Sequence, residues 1–289
     1  MDIYLEQMRM ASGKYEEGKR YWLNKLEGLT DFSRFPSDCK QSPDQEWVTD
    51  TQVIYLSEDV RSRMTRMAGG SNLGIYMIMV SCLKTLFWKY TGYQDIVVGM
   101  PSSKGASREG QSMLALRTEI DPNESFKVNL IKVKKTIEES QTYGYIDITT
   151  IAELGDSSLS PKPRFGVAAV MDALHGQAPV DADIVFSIEK ENDEAFILTL
   201  SYNRNTYTSS MIQRLVGHFV NILEVVTNNP SILLKQFDML SAAERQERDK
   251  EISGGYWKNY LAGYDQQSSL PKSIVSKENN VPYNRVEEM

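Results

Sequence analysis

The sequence is poor in the residues from which most self-sufficient active sites are built. Its 289 residues include only two histidines, His175 and His218, and two cysteines, Cys39 and Cys82. No two histidines are adjacent and no His-x-x-x-His occurs, so a zinc hydrolase of the helical two-histidine type is excluded. Two cysteines cannot make a disulfide framework, which points to a reducing, cytoplasmic setting. A basic excess is also lacking. Lys and Arg number 32 against 39 Asp and Glu, giving a net charge of −7 and a pI near 5.1. A nucleic-acid binder normally carries a basic face, so no nucleic-acid partner is expected. Long apolar runs are missing as well. The most apolar stretch, 75–83, stops at Lys84, too short to cross a bilayer, and no membrane partner is expected. Residues 1–20 are mixed and charged and do not read as a signal peptide. Gly69-Gly70 lacks the Lys-Ser/Thr that completes a phosphate-binding loop, so nucleotide binding has no support.

What is present is the composition of a soluble globular chain, 41% hydrophobic and 25% charged, long enough for a sizeable core. Ser57 reads as an N-cap with Glu58 and Asp59 in the first turn, and Val60, Met64 and Met67 follow at helical spacing up to Gly69-Gly70. Ser71 caps a second helix, apolar on nearly all sides, which runs to about Tyr90 and ends at Thr91-Gly92. Residues 95–99 read as a short buried strand closed by Pro101, and 102–110 (SSKGASREG) as a polar loop. Ser125 caps a third helix with Phe126, Leu130, Val133 and Ile137 inside and Lys127, Lys132, Lys134 and Lys135 outside. Residues 156–163 read as loop and 165–171 as a buried strand. Residues 184–190 and 196–202 form a hairpin. A long amphipathic helix follows over 210–227, with Ile212, Leu215, Phe219, Ile222 and Val226 inward, and Asn229-Pro230 stops it. The charged stretch 242–251 is a linker or helix end. Interleaved helices and strands with one antiparallel hairpin predict an α/β fold, a mixed sheet flanked by helices.

No reaction can be named from these residues alone. His218 lies one step off the apolar stripe of the long helix and reads as a boundary histidine. His175, in a loop after a strand, is the residue type of a general base. No Ser, Cys or acid stands at a fixed spacing to complete a triad with it, and a satisfied structural histidine is the plainer reading. Cys82 reads as a packed thiol and Cys39 as a loop thiol without a partner. Lys104 and Arg108 are the residue types that meet a phosphate, although a solvated loop is the simpler account. The lysine-rich face 127–135 would suit an acidic partner or be merely solvated. No catalytic, cofactor or metal residue is assigned.

One internal echo stands out. Tyr21-Trp22, Asn24, Leu26 and Gly28 reappear as Tyr256-Trp257, Asn259, Leu261 and Gly263, and Ser33 and Pro36 match Ser268 and Pro271, all at an offset of 235 residues. Two copies of one structural element are the expected cause.

Several segments together resemble the condensation domain of nonribosomal peptide synthetases. Lys89-Tyr90-Thr91-Gly92-Tyr93-Gln94-Asp95-Ile96-Val97-Val98-Gly99-Met100-Pro101 is similar to the family's RYTGQxDIxVGxP junction. Leu200-Ser201-Tyr202-Asn203, Tyr207 and Arg214-Leu215-Val216-Gly217-His218-Phe219 resemble its closing strand and final long helix. Phe237-Asp238-Met239-Leu240-Ser241-Ala242-Ala243-Glu244 resembles its exit signature, and Tyr21-Trp22 with Leu26, Gly28 and Pro36 the opening of its second half. The likeness covers about 4–248. It implies a chloramphenicol-acetyltransferase-like lobe and a role in joining two thioester-bound aminoacyl groups. The substrates would arrive on phosphopantetheine arms of peptidyl carrier proteins, so phosphopantetheine is delivered and not bound as a resident cofactor. On this likeness Tyr21, Trp22, Tyr90, Gly92, Asp95, Gly99, Pro101, Arg117, Tyr202 and His218 are structural motif residues. Lys104 and Arg108 become possible phosphopantetheine contacts.

The family's catalytic His-His-x-x-x-Asp-Gly does not occur in this sequence. The expected organisation is therefore a C-terminal lobe over 1–248, a linker over 249–255 and the start of a second lobe over 256–289. Such a fragment is expected to be inactive without an N-terminal lobe, its partner along with neighbouring synthetase domains. Two segments depart from the family. The stretch 107–117 (SREGQSMLALR) keeps only Leu114, Leu116 and Arg117 of IGxFVNTLxLR, and 142–146 keeps only the tyrosine of HQxYP. These changes leave open a non-catalytic scaffold or carrier-docking lobe, and, more remotely, a small acyltransferase using His175.

Overall fold

The structure is a computed structural model. It describes residues 13–39, 47–107, 110–146, 148–153, 164–176, 180–191 and 195–250. The elements in chain order are α1 (Gly13–Leu26), β1 (Thr49–Tyr55), α2 (Glu58–Met67), α3 (Asn72–Thr91), β2 (Asp95–Ser107), β3 (Gly110–Glu119), α4 (Phe126–Thr142), α5 (Ile148–Glu153), β4 (Phe165–Met171), α6 (Asp172–His175), β5 (Ala182–Glu191), β6 (Ala195–Asn203), α7 (Ser209–Asn228) and α8 (Ala242–Lys250). The chain divides into two compact units, 1–241 and 242–289. In the second, α8 has no buried residue, as its run of charges predicts. Among the described residues no single helix is long and apolar enough to cross a membrane.

Hydroxyl caps fix the helix starts. The side chains of Ser57, Ser71, Ser125 and Thr208 accept hydrogen bonds from the backbone N–H groups of Val60, Gly74, Val128 and Met211. Each such cap contributes about 1 kcal/mol. Gly92 closes α3 at φ +74°, its N–H donating to Trp88 O at 2.8 Å. A Cβ in that left-handed conformation costs about 1–2 kcal/mol. The all-round apolar pattern of α3 predicts a central helix, and its residues from Ile78 to Phe87 are all buried.

The first unit is built on a six-stranded mixed sheet in the order β1-β6-β5-β4-β2-β3. Strands β2, β4 and β5 run parallel to their neighbours within that trio, and the other pairings are antiparallel. All seven residues of β4 are buried, which explains why it reads as an unbroken apolar run. Strand β6 alternates between buried and half-buried residues and so has one open face. Strands β2 and β4 are in register only at Gly99 and Ala168. Two residues before Gly99, the Val97 N–H donates to Ser33 Oγ at 2.8 Å. The segment 31–36 thus lies against the gap, with Phe32 stacked on Phe165 at 4.3 Å. A side chain at Gly166 would strike the Ser33 carbonyl and Arg34.

Two expectations are corrected. Pro101 does not close β2, which runs on to Ser107, and most of the stretch expected as a polar loop is β-hairpin. The register shifts between Pro101 and Ala106, and such an irregularity accommodates a residue that cannot donate to the ladder. The polar composition of 102–110 hides the pairing, and β3 with it. His175, expected in a loop, instead ends the single-turn helix α6.

The most demanding group in the core is Lys84, fully buried on α3. Its Nζ donates to Ile96 O at 2.8 Å and Leu116 O at 2.5 Å. Burial holds its pKa well below the ordinary 10.5. The unfolded chain therefore binds a proton that the folded chain lacks, and this increment of stability grows with pH up to 10.5. In urea unfolding, the stability of the parent should rise with pH relative to that of Lys84→Met below pH 10.5, by at most about 1.4 kcal/mol per pH unit. Equal slopes would mean that Lys84 is charged in the core.

Candidate functional site

The residues carrying the sequence motifs meet in three places. The first joins α1 to the turn after α4. Trp22, fully buried, donates from Nε1 to Tyr143 O at 3.0 Å, and Tyr21 stacks on Tyr143 with ring centres 4.4 Å apart. Ser102 of β2 donates to Gly144 O at 3.0 Å. The same turn therefore also touches the strand just past Pro101. Gly18 on α1 lets the Tyr145 hydroxyl and the Ile146 Cδ1 approach to 2.6 and 2.7 Å of where a Cβ would stand.

The second is a clamp at the β2–β3 pair. The Arg117 guanidinium holds Asp95 through Nε at 3.0 and 3.1 Å and through Nη2 at 2.7 Å, the bidentate geometry that makes such pairs strong. Its Nη1 donates to Lys25 O at 3.0 Å and Glu27 O at 2.7 Å, so one side chain ties both strands to the carbonyls ending α1. Beside it, Gly99 lets Met113 and Phe165 approach to 2.8 Å of where a Cβ would stand.

The third lies between α3 and α7. The Tyr90 hydroxyl and His218 Nδ1 are 2.7 Å apart, and His218 is only 3% exposed. Phe35 meets Tyr90 edge-on at 5.6 Å. Tyr202 donates to Asp50 at 3.0 Å and fastens β6 to the edge strand. The ten motif residues thus serve packing and pairing in the places described. The signal missed in the sequence is Lys84, which reads as the end of an apolar run.

His175 is also held. The Met171 N–H donates to its Nδ1 at 3.0 Å, which places the proton of the neutral ring on Nε2. Its ring meets Tyr76 edge-on at 4.8 Å. Burial lowers its pKa from 6.5 to about 4. Tyr76 donates to Ala169 O at 3.0 Å and is committed to the sheet. Cys82 is buried, with burial raising its pKa well above 9.0, as an inert packed thiol requires. Among the described residues no cluster of His, Cys, Asp and Glu suits a metal ion. Arg108 and the repeat at 256–271 lie outside the described residues. Lys104 contributes its backbone to β2, and its side chain lies outside them too.

Comparison with known proteins agrees with this architecture. The family described as Condensation domain matches residues 3–248. Surfactin synthase subunit 1 of Bacillus subtilis (strain 168) is 25% identical over 278 residues, covering 88% of this chain and 8% of that protein. Gramicidin S synthase 2 of Brevibacillus brevis is 23% identical over 262 residues, covering 82% and 6% respectively. The chain therefore spans less than a tenth of these relatives. Among solved structures, a four-domain nonribosomal peptide synthetase bound to AMP and glycine superposes with a TM-score of 0.69 at 16% identity, covering 82% of this chain and 21% of that one. The complex of the X-domain and OxyB from teicoplanin biosynthesis gives 0.69 at 17%, covering 82% and 58%. The six-stranded mixed sheet with its helices has the chloramphenicol-acetyltransferase-like fold of these neighbours. On its sequence match, the chain belongs to the condensation-domain family of nonribosomal peptide synthetases.

Proposed function

We propose that this chain works as the C-terminal lobe of a condensation domain and is inert in amide formation until a lobe bearing His-His-x-x-x-Asp-Gly joins it. Its task in this reading is to complete the site where two aminoacyl or peptidyl thioesters meet. Both would be presented on the phosphopantetheine arms of peptidyl carrier proteins, with Lys104 and Arg108 as candidate phosphate contacts. Residues 256–289, repeating the motif of 21–36, are assigned to the opening of a second lobe after a linker over 249–255. The observation that carries the reading is the state of the histidines. General-base or positioning catalysis needs a group within hydrogen-bond reach of the attacking amine. His175 has Nδ1 occupied by a backbone N–H, and His218 has Nδ1 against Tyr90.

The test is a condensation assay with aminoacyl-loaded carrier proteins, read by mass spectrometry of the carrier-bound product. The chain alone should give no dipeptidyl thioester above the uncatalysed background. Addition of an N-terminal lobe carrying the histidine motif should restore product. Turnover by the chain alone would overturn the reading.

A second reading is a non-catalytic docking lobe. It is favoured by the likeness to the teicoplanin X-domain, whose structure is a complex with OxyB. Continued silence of the assay with the added lobe would select it.

The remaining alternative, an acyltransferase using His175, makes a separate claim about titration. With a folded pKa of about 4 against 6.5, the His175 contribution to stability is complete above pH 6.5 and is lost as pH falls toward 4. That acid-side loss should be on the order of 3 kcal/mol. It should vanish in His175→Gln, and the imidazole resonances should show no titration near neutrality. Titration near pH 6.5 would reopen a role as base.

A further inference from the structure

We propose that the outward face of α4 is a docking surface for an acidic amphipathic helix of another polypeptide. Helix α4 buries Phe126, Val133 and Ile137, so its own core stripe is already satisfied. On the reverse side Ile131 is 60% exposed and Val128 39% exposed. Ile131 is the most exposed large aliphatic side chain among the described residues. Lys127 stands four residues before it, and Lys134 and Lys135 three and four after it. On a helix these are its immediate neighbours. An exposed isoleucine is thus ringed by three ammonium groups, on a chain whose net charge is −7.

The order of charge along α4 is a second, independent sign. Lysine stands in the first turn, no acid does, and Glu138 and Glu139 lie toward the C-terminus. This opposes the helix macrodipole, which favours acids in the first turn and bases in the last. Stability of the isolated helix therefore does not account for the arrangement. Lys134 and Lys135 meet Glu138 and Glu139 at 3.7 Å. These are weak, solvated pairs and are easily exchanged for a partner's carboxylates. Lys127 has no acidic partner among the described residues.

The surface is also preorganised. The N–H groups of Phe126 and Lys127 donate to Ile232 O at 3.0 Å and Pro230 O at 2.8 Å. An acidic helix with apolar side chains at i, i+3 and i+4 would set those on Val128 and Ile131 and its carboxylates on the lysines. An anionic membrane fits less well, because a helix lying in a bilayer turns a whole apolar stripe outward, whereas that of α4 faces the core.

The inference does not depend on the peptide-bond assignment, since its test reads no turnover. Fluorescence anisotropy of the full chain with a labelled acidic Glu/Leu amphipathic peptide of about 18 residues should show saturable binding that weakens with salt. Ile131→Glu and the double variant Lys127→Glu/Lys135→Glu should each weaken it about tenfold or more, with the cooperative thermal transition retained and only slightly shifted because all three sites are exposed. A peptide with Lys in place of Glu should not bind. Equal binding by parent and variants, or none at about 1 mM peptide, would overturn the proposal. So would tighter binding of the parent to phosphatidylglycerol vesicles, or self-association abolished by Ile131→Glu, which would assign the face to a second copy.

Discussion

The rest of the fold depends on one buried amine. Helix α3 is apolar on nearly all sides and must be enclosed, with the sheet on one flank and α2, α4 and α7 against the others. Such a helix is free to rotate or slide unless something directional holds it, because the hydrophobic effect is not directional. Lys84 supplies that direction. Its Nζ reaches Ile96 O on β2 and Leu116 O on β3. Burial penalises the ammonium form and holds the pKa well below 10.5, and the two carbonyls satisfy the Nζ donors. With rotation fixed, Tyr76 reaches Ala169 O and Tyr90 reaches His218 on α7. One side chain therefore sets the relation of the central helix to the sheet and to the last long helix.

The motif residues belong to the same mechanical system. Arg117 ties β2 and β3 to the end of α1, and Trp22 ties α1 to the turn after α4. Gly99 and Gly166 permit the close approaches that let β2, β4 and the segment 31–36 share one layer. These residues form one connected frame of packing and hydrogen bonds.

Much of that frame is legible in the sequence. Ser57, Ser71 and Ser125 read as caps and act as caps, because a hydroxyl before an apolar-periodic run has one dominant use. The strand over 165–171 and the hairpin of β5 and β6 are equally readable, since burial on one or two faces leaves a plain pattern. What stays hidden is long-range. Strand β3 owes its existence to its ladder with β2, which runs from Asp95↔Glu119 to Pro101↔Met113 and resumes past a register shift, and no local pattern announces it. Edge strand β1 is mostly exposed and polar, held by its ladder to β6 and by Asp50 on Tyr202. Lys84 and Arg117 gain their roles from carbonyls 12 to 92 residues away in sequence. Spacing rules do not reach that far.

The scarcity of histidine takes on a physical meaning in this light. A base at neutral pH needs a lone pair that reaches its substrate and a pKa near the working pH. His175 has its Nδ1 lone pair on the Met171 N–H, and burial moves its pKa to about 4. His218, 3% exposed, has Nδ1 at hydrogen-bond distance from Tyr90. Each imidazole is used as a buried polar joint between two elements, one at the end of β4 and the other between α3 and α7. A joint of this kind resists reuse, because drawing the ring toward a substrate would break its hydrogen bond to the Met171 N–H or the Tyr90 hydroxyl, and leaving a buried polar group unpaired costs about 1–3 kcal/mol. Both histidines are thus accounted for as structure, which supports the proposed reading.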